Sequence, residues 1–283
     1  MGPLVSRVKL LAAFADELAR YGLPEVSGSV DREVLFIVDG VGGFQAAPLM
    51  IRRALRLEGS TLGTILYKWQ FGLPGEIWTD LMWLRRNRLM GMRLARRLLA
   101  FRRANPAAKI HVMACSGGAG ITLFALEAMH RRSERAAHRS AEPIAPLVDT
   151  LILASPAVSP TYNLGSALGM VKRCYAIVSR RDSIVLGLGT RIFGTMDRSF
   201  TRAAGMVGFR MPTDVSPQER EAYERLREIR WSPELQKQGH NGGHTGSVSV
   251  AFLRHHLLPL LAGEPTCPVH VVSSDLPNPP VTR

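Results

Sequence analysis

The hydrophobic residues of this chain recur in short runs, each about the length of a buried β-strand. Five runs are largely apolar and rich in Val, Ile and Leu, which is typical of strands covered on both faces. A sixth, more polar run is expected to supply a last, short strand. The runs are EVLFIV (33–38), TLGTILYKW (61–69), KIHVMA (109–114), DTLILA (149–154), CYAIVS (174–179) and RLREIRW (225–231).

Helical patterns fill the intervals between these runs, with apolar residues three or four positions apart. They lie around 45–57, 79–104, 117–133 and 248–262, whereas 132–148 has the composition of a loop. This alternation of buried strands and helices predicts an α/β fold. We expect a mainly parallel sheet of about six strands with helices on both faces.

No domain boundary interrupts the pattern, so we expect a single domain over 1–283 with its core at about 33–262. The segment 1–30 is predicted to form an amphipathic helix, because Asp16 and Glu17 interrupt its apolar residues and argue against a signal peptide. Insertions are predicted at 70–92 and 186–226, and a tail at 274–283.

The composition places the chain among globular, enzyme-sized proteins: it has 283 residues, of which 46% are hydrophobic. No run approaches the ~20 apolar residues that a membrane-spanning helix needs. Cys115, Cys174 and Cys267 are widely spaced and belong to no metal-ligand motif. We therefore expect a reduced, cytoplasmic protein without disulfides and without a bound metal.

The charge is strongly basic, with a formal net charge of +13. Much of it lies in 83–105, where arginines alternate with Met90, Leu94 and Leu98 at helical spacing. The simplest interpretation is the solvated face of an amphipathic helix, and peripheral contact with an anionic membrane is an alternative. Nucleic acid is not an expected partner, because aromatic residues are not interleaved with the basic ones. The oligomeric state stays open.

One hydroxyl stands at the junction of a predicted strand and a predicted helix. Ser116 follows KIHVMA and precedes GITLFALEAM, with Ala114 and Gly118 two positions to either side. Small residues suit a sharp strand-to-helix turn, which projects the central side chain beyond the C-terminal end of the strand, where catalytic groups collect. The stretch resembles the nucleophile elbow of the α/β-hydrolase superfamily, with Ala114 in place of the usual first glycine.

A serine hydroxyl becomes a strong nucleophile only when a base accepts its proton and an acid orients that base. In the superfamily these groups follow the serine in the order acid, then histidine. Asp182 comes just after the run 174–179 and is expected at the same edge as Ser116. Asp149 begins its strand, so it is expected at the opposite edge.

The base is expected in a glycine-rich loop, QGHNGGHTGS (238–247), which precedes the last helix and carries two histidines. His244 in GGHTGS looks like the catalytic histidine of the superfamily, and His240 is the alternative. A zinc site at these histidines is not expected, because no cluster of cysteines or carboxylates supplies further ligands.

The stretch FIVDGVGGF (36–44) resembles the His-Gly-x-Gly turn of the superfamily, with Asp39 in place of the histidine. The resemblance implies an oxyanion hole formed by the backbone N–H groups of Gly117 and Val41, with Gly42 as the alternative to Val41.

The same glycines are also compatible with an alternative function, a turn that binds the pyrophosphate of a dinucleotide. Gln45 stands where a third glycine would be expected, and LYKWQFG ends without an acidic residue to bind ribose. A binding protein in which Ser116 has no catalytic task is the other alternative.

The resemblance covers most of 33–262 and implies a serine hydrolase of the esterase or lipase type, acting through an acyl-enzyme on a small-molecule acyl ester. The expected catalytic residues are Ser116, Asp182 and His244, and no cofactor or metal is required. Apolar side chains of the two insertions could line an acyl pocket or lid, among them Trp78, Trp83, Phe193 and Met196; ordinary core packing of an extra helix is the alternative.

Overall fold

The computed structural model describes residues 23–70, 80, 82–140, 145–183, 186–187, 190 and 194–272. Within them, eight strands form one mixed sheet in the order β1-β3-β2-β4-β5-β6-β7-β8. The strands are β1 (Val26–Ser27), β2 (Ser29–Val38), β3 (Leu62–Tyr67), β4 (Lys109–Cys115), β5 (Val148–Ala154), β6 (Val171–Val178), β7 (Leu226–Arg230) and β8 (His270–Val271).

Strands β2 to β7 pair in parallel and correspond to the five apolar runs and the sixth, more polar run. The two-residue strands β1 and β8 pair antiparallel at the two edges. The predicted α/β fold with a mainly parallel sheet is therefore confirmed, and the two edge strands raise the number from about six to eight. Two residues are too few to show a hydrophobic period, so neither edge strand could be expected from the pattern.

Helices cover both faces of the sheet. They are α1 (Ala46–Leu57), α2 (Leu84–Ala104), α3 (Gly117–Ser140), α4 (Gly165–Gly169), α5 (Ala204–Val207), α6 (Pro217–Tyr223), α7 (Pro233–Lys237) and α8 (Val250–Ala262). Among the described helices, none is both long and apolar enough to cross a membrane.

Successive side chains of the strands enter two separate cores. In β2, Phe36 packs with residues of α2 and α3 on one face of the sheet. Its neighbours Leu35 and Ile37 pack with residues of α1 and α8 on the other face. All seven residues of β5 are buried. This is why the central strands are continuous apolar runs rather than alternating ones.

The N-terminal boundary differs from the prediction. A helix was expected over 1–30, but β1 and the start of β2 occupy residues 26–30. Gly28 has a φ of 78° between the two strands, and Val26 pairs with Ile65 of β3. Backbone pairing to β3 thus takes this short segment into the sheet. Residues 1–22 and the predicted tail at 274–283 lie outside the described residues.

The loop expected over 132–148 is also wrong for its first half, because α3 continues to Ser140. Where this polar part begins, Arg131 forms an ion pair with Glu127 one turn earlier, and His130 Nδ1 lies 3.6 Å from Glu134 Oε2. Such pairs stabilise a helix without an apolar period. The predicted insertion 70–92 includes the first turns of α2, and 186–226 includes α5 and α6.

Candidate active site

Ser116 lies in the turn between β4 and α3, at the C-terminal edge of the sheet. Its φ is 50°, a left-handed backbone conformation that residues other than glycine rarely adopt. Backbone hydrogen bonds hold the turn on both sides: Ser116 N–H donates to Ala154 O (2.9 Å), and Ser116 O accepts from Ala119 and Ala157 N–H (both 3.1 Å). The strained serine is therefore fixed by its neighbours.

The small residues around Ser116 are required by close packing. A Cβ at Gly118 would overlap Asp39 O at the end of β2, and backbone atoms cannot yield there. A Cβ at Gly117 would come within 2.7 Å of Val41 Cγ1, and Ala114 is fully buried. The start of α3 thus passes directly against the loop that follows β2.

One imidazole joins Ser116 to Asp182. His244 Nε2 lies 3.0 Å from Ser116 Oγ, and His244 Nδ1 lies 2.6 Å from Asp182 Oδ2. The Asp182 side chain is only 2% exposed and that of His244 is 23% exposed. When Nδ1–H is donated to the carboxylate, Nε2 is left to accept the hydroxyl proton of Ser116. The three residues predicted from the sequence are brought together in this order.

The alternative acid lies at the other edge of the sheet, and the alternative base is enclosed in its own loop. Asp149 near the start of β5 accepts from Ile110 N–H (2.9 Å) and Lys172 Nζ (2.7 Å), at the opposite edge of the sheet. His240 is fully buried, and its Nδ1 accepts from Gly242 N–H at 3.1 Å. Burial lowers the pKa of His240 to about 4, so its ring is neutral at pH 7. His240 is a packing residue inside the histidine loop.

Three serines hold that loop, which we define as residues 239–249. Ser155 Oγ after β5 donates to His244 O (3.3 Å), and Ser179 Oγ after β6 donates to Gly242 O (2.6 Å). Ser249 Oγ donates to Gly239 O (2.8 Å) and also accepts from Phe252 N–H to cap α8. Sequence reasoning missed all three, although Ser155 directly follows a predicted strand and Ser179 is the last residue of one.

The loop after β2, residues 39–45, lies over Ser116. A Cβ at Gly40 would stand 3.3 Å from Ser116 Cβ, and one at Gly117 would stand 3.7 Å from Val41 N. Val41 begins a 3₁₀ turn and Gly117 begins α3, so neither N–H has an acceptor inside its own element. Gly42 N–H is different, because it donates to Asp80 Oδ2 at 2.9 Å.

Asp80 belongs to a buried polar network that fixes this loop. Its Oδ1 accepts from Arg86 Nη1 (2.8 Å), and both side chains are at most 5% exposed. Arg86 Nη2 donates to Trp69 O (2.7 Å), and Trp69 Nε1 donates to Asp39 O (2.9 Å). Asn87 Nδ2 donates to Asp80 O. The network ties the loop after β2 to the loop after β3, and no sequence pattern indicated it.

Asp39, which stands where the His-Gly-x-Gly turn of the α/β-hydrolase superfamily has its histidine, binds the start of α1. Burial raises the pKa of Asp39 to about 6, although backbone N–H groups of Gly40, Gln45 and Ala47 bond to its carboxylate and act in the opposite direction. This carboxylate occupies the helix N-terminus at which a dinucleotide pyrophosphate would bind. The arrangement therefore disfavours the dinucleotide alternative.

The predicted pocket residues are placed only in part. Trp78 and Phe193 lie outside the described residues. Trp83 immediately precedes α2 and is 55% exposed. Met196 is fully buried, and its Sδ would be 3.3 Å from a Cβ at Gly117. In the described part of the chain, no three His, Cys, Asp or Glu side chains gather as a metal site would require.

No protein-family model matches the chain, and no curated protein sequence matches it. A search of solved structures finds the crystal structure of Aspergillus fumigatus lipase B, with 12% identity and a TM-score of 0.46, over 85% of this chain and 56% of the lipase chain. This chain thus spans little more than half of the lipase chain it matches.

Proposed function

We propose that this protein is a serine hydrolase that cleaves a carboxylic ester, or a related acyl bond, of a small-molecule substrate. The observation that supports the proposal is the position of His244, which contacts the hydroxyl of Ser116 through one ring nitrogen and the buried carboxylate of Asp182 through the other. A base held between a hydroxyl and an acid is the arrangement that activates a serine nucleophile.

In the first half of the reaction, Ser116 Oγ attacks the acyl carbon and His244 Nε2 takes the hydroxyl proton. Asp182 accepts from Nδ1–H and stabilises the imidazolium that forms. The carbonyl oxygen becomes an oxyanion, which accepts from the N–H groups of Val41 and Gly117. Since Gly117 begins α3, the positive end of the helix dipole adds to this stabilisation.

His244 then gives its proton to the leaving alcohol, and the carbon–oxygen bond of the ester breaks. Ser116 is left as an acyl ester. In the second half, His244 takes a proton from water, the hydroxide attacks the acyl carbon, and the acid is released as Ser116 regains its proton. Every proton transfer in this scheme involves a group of the chain itself or water, so it requires no cofactor.

Turnover of p-nitrophenyl esters from acetate to octanoate tests the proposal. We expect Ser116→Ala and His244→Ala each to lower kcat by about 10³-fold or more, and the double variant to lose little beyond either single one, because the residues act as a unit. Ser155→Ala is the control: it removes another hydroxyl at the same sheet edge, and its kcat should stay within about 10-fold of wild type. Full turnover by Ser116→Ala would refute the assignment.

A further inference from the structure

The exposed side of α2 carries apolar side chains among arginines. Arg85, Leu89, Met92 and Arg96 follow one another at spacings of four, three and four residues, so they lie on one face of the helix, with Arg93 beside them. Leu89 is 40% exposed and Met92 is 41% exposed. We define these five residues as the α2 stripe. The buried side of the helix is separate and packs through residues such as Leu94 and Leu98.

The arginines of the stripe have no acidic partner in the described part of the chain. Helix α2 itself contains no Asp or Glu. The ion pairs formed by its other arginines are Arg86 with Asp80, Arg97 with Glu25 and Arg102 with Asp149. Arg85, Arg93 and Arg96 take part in no ion pair with a described carboxylate, so their charge is available to an anionic partner.

The stripe begins at the rim of the candidate active site. Arg86, one residue beyond Arg85, joins the network that holds the loop 39–45. Phe44 in that loop is exposed, as are Met82 and Trp83 just before α2. Exposed apolar side chains therefore occur both at this rim and in the stripe, whose arginines supply positive charge.

We propose that the α2 stripe binds an anionic lipid surface. The guanidinium groups bind lipid phosphates, while Leu89, Met92 and Trp83 enter the boundary between headgroups and acyl chains. Leu89 and Met92 favour lipid over nucleic acid, because apolar side chains in the centre of a basic face have no partner on a phosphate backbone. The proposal concerns where the protein binds and does not depend on the reaction at Ser116.

Sedimentation with vesicles tests the proposal on the full chain. We expect wild type to bind vesicles of phosphatidylcholine that contain about 30% of the anionic lipid phosphatidylglycerol. It should not bind vesicles of pure phosphatidylcholine, and it should dissociate from the anionic vesicles as the salt concentration is raised. Arg85→Gln with Arg96→Gln should weaken binding roughly 30-fold, at about tenfold per 1.4 kcal/mol and about 1 kcal/mol per arginine. Leu89→Ser with Met92→Ser should weaken binding at least about 10-fold.

The matched control uses helix α1 on the opposite face of the sheet, where Arg53, Arg56 and Leu57 are exposed. Changing these to Gln, Gln and Ser should leave vesicle binding within about 2-fold of wild type. Equal losses in control and stripe variants would contradict the proposal, as would stripe variants that bind like wild type. Duplex DNA binding that needs the arginines but not Leu89 or Met92 would overturn it in favour of nucleic acid. Hydrolysis of a soluble short ester should be the same in all variants, so failure here is distinct from failure at Ser116.

Discussion

Ser116 has a left-handed backbone conformation with a φ of 50°. For a residue with a Cβ this conformation costs on the order of 1–2 kcal/mol. Helix α3 begins at the next residue, and the loop 39–45 packs over the turn, so the chain cannot relax without moving both. The backbone strain is located at the residue whose hydroxyl we propose as the nucleophile. This is common where a side chain must project from a tight turn.

The strain predicts an unusual order of stabilities at this position. Ser116→Gly should be more stable than Ser116→Ala by about 1 kcal/mol, because glycine adopts positive φ freely and both variants lose the same hydroxyl. Urea denaturation of the two variants measures the difference. At Ser133 within α3 the order should reverse, since glycine weakens a helix by about 1 kcal/mol relative to alanine. Alanine more stable than glycine at both positions would contradict the account of the turn.

Sequence alone identified the three contacting residues for a simple reason. Ser116 and Asp182 come directly after apolar runs, so their place at the sheet edge follows from strand direction, and His244 lies in a loop that glycines mark. Asp80 could not be identified this way, because it follows no strand. Its partners Gly42 and Arg86 lie 38 and 6 residues away, at spacings that mark no pattern. Contacts between side chains and loops depend on the folded structure.

At the scale of the elements, the loop 39–45 is fixed by the carboxylate of Asp80. This carboxylate accepts from the N–H of Gly42 in the loop and from the buried guanidinium of Arg86. If Asp80 acts as a positioning residue for this loop, Asp80→Asn should lower the free energy of unfolding by about 3–5 kcal/mol, the usual cost of breaking a buried pair. It should also lower kcat at least about 10-fold with little change in KM, because the Val41 N–H loses its position.

Asp149→Asn provides the matched control for this prediction. Asp149 also accepts from a backbone N–H and from a cation, yet it lies at the opposite edge of the sheet. The variant should lose stability but keep kcat within about 2-fold of wild type, measured where both variants are folded. If both variants lower kcat equally, the effect of Asp80 is general destabilisation and not loop positioning.

The histidine loop predicts a dependence of stability on pH. Burial lowers the pKa of His240 to about 4, below the value of 6.5 for an unfolded chain. The unfolded state then binds more protons between these values, so the stability contributed by neutral His240 is complete above pH 6.5 and is lost as pH falls toward 4. A proton on Nδ1 would also displace the N–H of Gly242, which Nδ1 accepts.

His240→Asn should reduce this dependence, since an asparagine oxygen can accept from the same N–H but does not titrate. Urea denaturation between pH 7 and 4.5 should show a slope smaller than that of wild type by up to about 1.4 kcal/mol per pH unit. Comparison with wild type removes the opposite contribution of Asp39, whose raised pKa of about 6 makes stability fall as pH rises. An unchanged slope in His240→Asn would contradict this account.

At the scale of the whole molecule, the six parallel strands follow from the sequence because both faces are covered. Continuous apolar runs indicate which residues are buried, and their alternation with helices predicts a sheet with a helix layer on each face. The edge strands depend on backbone pairing with β3 and β7, and the polar end of α3 follows the ion pair of Arg131 with Glu127. Neither leaves a hydrophobic pattern.

The prediction of a single domain belongs to this scale. The core residues on each face of the sheet come from strands throughout the described chain. We therefore expect one cooperative unfolding transition, with tryptophan fluorescence, to which the buried Trp69 contributes, and far-UV circular dichroism giving the same midpoint in urea. Two separated midpoints would indicate two independently folding parts.

Covalent labelling by a fluorophosphonate, followed by mass spectrometry of the tryptic peptides, tests the central claim most directly. We predict one adduct, on Ser116. It should disappear in Ser116→Ala, form much more slowly in His244→Ala and persist in Ser155→Ala. Ser155 is the control because it also follows a strand and also has a φ of 50°, but it contacts the backbone of His244 and not its ring. An adduct on another serine, or undiminished labelling of Ser116→Ala, would contradict the account.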